Sequence, residues 1–144
     1  MDHSSDHEIR ELIERRIEAI RNKDAAAAIE CLSEAVVAFE MVPPLALPMG
    51  AARDEHGFAA WLSGFDEIDV EVHHLGIHAD SQVAFAHSLN RLTGRRSGGA
   101  GVDIWMRSTL GFRREAKGWR IAHAHTSVPF YSGLEPKAAL DLKP

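Results

Sequence analysis

The chain of 144 residues is short of cysteine, of positive charge and of long apolar runs, and each shortage excludes something. Its one cysteine, Cys31, permits no intrachain disulfide, so no oxidising compartment is required. A lone cysteine in an apolar helix is ordinarily a buried, inert thiol. No run approaches the ~18 apolar residues of a membrane span. The polar, acidic opening MDHSSDHEIRE lacks the basic start and apolar stretch of a secretory leader. A cytoplasmic protein that does not enter membranes is the expectation. Lys and Arg number 16 against 21 Asp and Glu, a formal charge of −5, and no basic stretch alternates with aromatics. Nucleic acid is therefore not an expected partner. No Gly-x-Ser-x-Gly elbow, phosphate-binding P-loop or dinucleotide fingerprint occurs, so no cofactor is expected and nucleophilic-serine chemistry has no support.

What is present is ordinary globular material: 45% hydrophobic and 26% charged residues in a length that buries a core without staples. One domain over 1–144 is expected, with a loosely ordered tail over 132–144 whose last residues, from Leu140, are weakly patterned. Ile9, Leu12, Ile13, Ile17 and Ile20 recur at helical spacing after a cap at Ser5 or Asp6, and predict a helix to about Lys23. Asp24 caps a short alanine-rich helix to about Leu32, and Val36 to Phe39 has strand composition. The prolines of MVPPLALPMG make a loop or lid. A third helix begins near Asp54 and ends around Ser63–Phe65. Four strands follow, at about 69–78, 82–93, 102–113 and 119–126, separated by turn signals. Helices first and hairpin-linked strands after predict an α+β fold: three N-terminal helices packed on a strongly curved, mainly antiparallel sheet.

Several residues break these patterns. Arg16 falls near the centre of the first helix's apolar arc at 100° per residue. It either snorkels or pairs with a carboxylate, or it binds an anion at a pocket wall. In the strand from Val102, Asp103, Trp105, Arg107 and Thr109 occupy one face and Val102, Ile104, Met106 and Leu110 the other. Period alone turns the first row to water. The alternative has it line a cavity while the apolar row packs on a second subunit. His123 and His125 share a strand face, and His87, His78 and Asp103 are loose candidates for a third metal ligand; no metal site is expected. Glu40, before the proline-rich loop, is either a solvated acid or a carboxylate at a pocket mouth.

The strings VAFEMVPPL, VAFAHSLNRLTG, DIWMRSTLGFRR and GWRIAHAHTSVPF resemble the SnoaL-like and ketosteroid-isomerase-homologue branch of the NTF2-like superfamily. The last string also resembles the end of the calcium/calmodulin-dependent kinase association domain. The resemblance covers nearly the whole chain. It implies a cone-shaped domain with an internal pocket and a homodimer across the sheet. It puts Arg16 where the isomerases carry a proton-donating tyrosine, Glu40 at or beside the catalytic aspartate, and Thr109 at the second acid. Both oxyanion donors are thus missing, and true steroid isomerase activity is not expected. By the same carry-over Asp103, Trp105, Arg107, Thr109, Asn90 and Thr126 face the cavity, while His123 and His125 face outward unless a bulge reverses them.

Three readings follow. The first is an isomerase, hydratase or cyclase without metal, with Glu40 as general base and Asp103 as a further catalytic candidate. Arg16, Arg107 or Asn90 would steady a developing oxyanion. The second is a module that binds a small organic molecule, carboxylated or otherwise anionic, through Arg16, Asn90, Trp105, Arg107, Thr109 and Thr126, with His87 and His125 as outlying candidates. The third is a dimeric scaffold with a vestigial pocket, joined through Val102, Ile104, Met106, Leu110 and Phe112.

Overall fold

A computed structural model describes residues 3–144. Helix α1 spans His3–Arg21, α2 Ala25–Glu30 and α3 Glu55–Ser63, with a 3-10 turn at Ala51–Arg53. The strands are β1 Leu32–Phe39, β2 Phe65–Ala79, β3 Val83–Arg96, β4 Gly101–Glu115 and β5 Gly118–Ser127, followed by a small hairpin of β6 Phe130–Tyr131 and β7 Lys137–Ala138. α1 starts before the expected Ser5 or Asp6 cap. Ser5 is instead a buried helical residue whose hydroxyl accepts from Arg114 Nη2 at 3.1 Å. Asp24 and Asp54 do cap α2 and α3, accepting from the amides of Ala27 and Gly57 at 3.1 Å each. Each satisfies a donor that the first helical turn leaves without a partner.

The main sheet has the order β1-β5-β4-β3-β2. β2 to β5 form an antiparallel meander, and β1 joins β5 in parallel. The expectation of a strongly curved, mainly antiparallel, cone-shaped sheet is thereby corrected. The sheet is mixed, and it is open rather than curled shut, since β1 and β2 end it as two separate edges. The physical reason is that β1 reaches β5 only after three strands and a helix have intervened, so no hairpin turn sets the direction of that pairing.

One face of the sheet carries the helices. On α1, Ile9, Leu12 and Ile13 pack with Val36, Ile77, Ala86, Phe112, Trp119 and Ile121 in one buried cluster. Ala19 and Ile20 join Ala25, Ala28, Leu62, Phe65 and Ile68 in a second. Burial of a side chain such as Leu12, 1% exposed, contributes about 1.5–3 kcal/mol. Arg16 lies on α1 between the residues of the two clusters.

Register fixes which strand residues share the helix-covered face. Ala86 and Leu110, Ser88 and Ser108, Asn90 and Met106, and Leu92 and Ile104 are opposite pairs, and Ala86, Leu92, Leu110 and Phe112 pack in the two clusters. The pairs Thr93–Asp103, Arg91–Trp105, Leu89–Arg107 and His87–Thr109 therefore stand on the other face. This reverses the inward facing carried over for Asp103, Trp105, Arg107 and Thr109. It likewise removes Val102, Ile104, Met106, Leu110 and Phe112 as a subunit interface, because that row faces the protein's own helices. The alternation was read correctly, but which row faces in depends on a one-residue phase that the resemblance set wrongly.

Candidate functional site

The two apolar clusters do not close completely over the helix-covered face. A narrow crevice of about 30 Å3 remains between α1, β2, β3, β4 and β5, enough for a water or two or a small ion. Ile13, Ile17, Val72, Leu75, Leu110 and Ile121 form its apolar wall, and Arg16, Ser88, Asn90 and Ser108 its polar part.

Arg16 is the unusual member. Its Nε is sealed from solvent and has no hydrogen-bond partner among the described residues. Burial pushes the guanidinium below its ordinary value, and Cys31 and Glu40 act in the opposite sense. An arginine keeps its proton at neutral pH even so. Arg16 as a whole is half-buried, but its Nε–H is held where water does not reach it, which is costly unless something accepts from it.

The polar neighbours are arranged as donors. Ser88 Oγ donates to Asn90 Oδ1 at 2.7 Å, and the bond leaves the Asn90 amide nitrogen as the free end of that side chain. Ser108 is 7% exposed and lines the same crevice. Thr126 is the cross-strand neighbour of Ser108 and shares its face. Glu40 follows the end of β1, exposed to solvent yet near enough to Arg16 for its charge to be felt. Arg16 and Asn90 line one crevice, with Thr126 beside it and Glu40 acting on Arg16 by charge.

The remaining candidates lie on the open face. Asp103 is exposed and accepts from Arg91 Nε at 2.9 Å and Nη2 at 2.7 Å, a bidentate pair that holds its carboxyl below the usual range. Trp105 meets His73 at a tilt, with 4.9 Å between ring centroids. Arg107 Nε donates to Ser127 Oγ at 3.2 Å. His87 stacks on His78 at 5.5 Å, next to the exposed Thr109. His125 meets Phe39 edge-on, and His123 Nδ1 lies 2.6 Å from the Val37 carbonyl. Among the described residues no three His, Cys, Asp or Glu side chains are grouped to hold a metal ion.

Sequence reasoning missed Ser88 and Ser108. Ser108 had a signal: it interrupts the apolar row Val102, Ile104, Met106, Leu110, where a hydroxyl needs a polar surrounding. Ser88 had none beyond its alternation with Asn90.

Three helices on one face of a mixed five-stranded sheet, with a narrow crevice between α1 and the sheet, define a class of small α+β domains. The SnoaL-like domain family matches residues 9–131, and the chain belongs to that family. An NTF2-like protein of unknown function from Pseudomonas putida is similar over 100% of this chain and 99% of its own, at 31% identity and a TM-score of 0.86. A candidate dehydratase of the NTF2-like family from Streptomyces avermitilis aligns over 88% of this chain and 97% of its own, at 14% identity and a TM-score of 0.77. A candidate ketosteroid isomerase from Shewanella frigidimarina aligns over 81% and 92%, at 19% identity and a TM-score of 0.66. Among curated proteins none matches. The last two likenesses concern fold alone. No helix among the described residues is long and apolar enough to cross a membrane.

Proposed function

We propose that this chain is a small-molecule-binding domain whose crevice takes an anionic group, a carboxylate above all, on Arg16. The observation that carries the reading is the sealed Nε of Arg16 without a protein partner. A carboxylate would accept from that Nε and from the Asn90 amide. The crevice as folded takes only the anionic end, so a larger body extends toward Glu40 and the exposed 41–49 loop. Glu40 then stands as general base in an isomerase-, hydratase- or cyclase-type reaction without metal. The names of the two similar candidate enzymes, a dehydratase and an isomerase, are of the same reaction classes. Binding without turnover is the second reading, favoured by the absence of any titratable acid inside the crevice.

The whole of 1–144 acts here as one cytoplasmic domain. It pairs as a homodimer through the open face, where Phe85 is 51% exposed and lies against His78 and His87. Native mass spectrometry of freshly purified protein tests these points together. A dimer retaining a defined small acid is expected, and the retained mass should vanish in Arg16→Met. Retention of the same mass by that variant would overturn the assignment of Arg16. Unchanged turnover of the identified compound by Glu40→Gln would remove Glu40 as base.

A further inference from the structure

A second concavity lies away from Arg16, where β1 bulges from β5. Leu32 pairs with Ile121, but the next paired residue of β1 is Val37, opposite His123. Four residues of β1 thus stand against one of β5, and the separation opens a groove of about 430 Å3 against the β4–β5 turn. That volume is in the range of small-ligand sites.

The groove's charges are arranged unusually. Arg113 and Arg120 are directly opposite across β4 and β5, where like charges repel. Lys117, in the turn that joins these strands, and Arg53, from the 3-10 turn, complete four cations. Arg120 Nη1 folds onto the Trp119 carbonyl at 2.8 Å, and Arg53 Nη1 onto the Leu32 carbonyl. Among the described residues, no carboxylate comes within ion-pair distance of any of the four. The groove's own acids are turned to other tasks or to solvent. Glu115 Oε2 accepts from buried Ser33 Oγ at 2.7 Å, and Glu30 and Glu34 are exposed at the rim.

We infer that this groove binds a phosphate monoester: its phosphoryl group sits between Arg113 and Arg120, and hydroxyl or ammonium groups of its body meet Glu30 and Glu34. A phosphoryl group carries the oxygens that two guanidinium forks can share, and it relieves the repulsion between them. The rim carboxylates reject a bare polyanion and accept from donors on an ester.

Calorimetric titration of the full chain with O-phosphoethanolamine and with inorganic phosphate at fixed moderate salt tests the inference. The monoester is expected to bind one per chain and more tightly than inorganic phosphate. Its affinity should fall at least tenfold in both Arg113→Gln and Lys117→Gln, and stay unchanged in Arg10→Gln, an exposed arginine on α1. Arg16→Met should leave it unchanged, which keeps the outcome separate from the crevice reading. Circular dichroism guards against a folding defect, and either of the two groove variants suffices if the other misfolds. Equal affinity for inorganic phosphate overturns the monoester assignment. No saturable heat at millimolar ligand, or an equal loss in Arg10→Gln, overturns the site itself.

Discussion

Replacing Arg16 by Met removes the charge from the seam between the two apolar clusters and keeps most of its volume and its flexible stem. The Nε of Arg16 has no partner to strand, and its companions Asn90 and Ser88 already bond to one another. Glu40, whose charge acts on Arg16, is exposed, so water can take over its solvation. The charge is thus an expense to the fold rather than a tie within it. Exchanging such a group for a well-fitting apolar one should leave stability unchanged or raise it by about 1–4 kcal/mol. In a domain of this size each kcal/mol moves the melting temperature by about 2–4 °C. Binding should move the other way. Loss of a hydrogen bond from a charged donor costs about 1.5–3 kcal/mol, a weakening of small-carboxylate affinity by roughly tenfold to 150-fold. Urea unfolding followed by circular dichroism reads the first quantity, and calorimetric titration with propionate reads the second. A fall in stability of about 3–5 kcal/mol would refute the reasoning, because that is the loss expected when one member of a buried ion pair is removed. Arg16 would then be a structural cation, paired in solution with a carboxylate such as Glu40.

Four further outcomes follow from the same geometry. Thr109→Val, on the open face, should leave carboxylate affinity unchanged, whereas Ser108→Val, in the crevice, should lower it; calorimetric titration of both variants checks the phase of β4. Gly94→Ala should destabilise by about 1–3 kcal/mol in urea unfolding, since its Cβ would clash with the Glu67 carbonyl oxygen of the neighbouring strand backbone. Gly76→Ala should cost less than Gly94→Ala in the same assay, because the obstacle, His87 Cε1 at 2.6 Å, belongs to an exposed ring that can swing away. The Asp103 carboxyl should titrate below the ordinary 3.8 and return toward it in Arg91→Gln. The contribution of this pair to stability is fully present above 3.8 and is lost as pH falls through the folded-state value. A carbon-detected NMR titration that places Asp103 at its ordinary value in the parent chain would remove the pair from solution.

The helices were legible because their signals are local. The three-to-four spacing of Ile9, Leu12, Ile13 and Ile20 and the capping carboxylates of Asp24 and Asp54 are read within one or two turns of chain. The meander was legible for the same reason, through its turn residues. β1's parallel alignment to β5 was not, because the partners lie some ninety residues apart and no turn joins them. β2 also starts at Phe65, within what reads as the end of a helix, because burial of Phe65 against α2 and α3 outweighs local propensity. The site was half legible. Arg16 announced itself as a charge in an apolar arc, and Asn90 came from the resemblance. The strand from Val102 shows the limit: period two separates its rows, but only the polarity of the rows gives the sign, and a shift of one residue exchanges inside for outside. Composition alone had the sign right, with Asp103 and Arg107 toward solvent.

The placement of the crevice's charges bears on whether chemistry belongs to it. Arg16, Asn90 and Ser108 offer donors, but Ser and Asn do not titrate near neutral pH and an arginine does not give up its proton. Nothing inside can move a proton, so any acid–base step must use a group at the rim. Glu40 is the carboxylate whose charge reaches Arg16, and it stands in solvent. Exposed to solvent, it lacks the dry surrounding in which a positioned carboxylate takes a proton from a substrate. For it to act, a bound ligand and the proline-rich loop that follows it would have to exclude water around it, the way burial raises a carboxylate's basicity. The proposed binding at Arg16 therefore needs no change in the folded chain, whereas the proposed catalysis would need a closure of the 41–49 segment over Glu40. A ligand that fills only the crevice should bind without reacting, and only one long enough to reach β1's end and draw that segment down could be turned over.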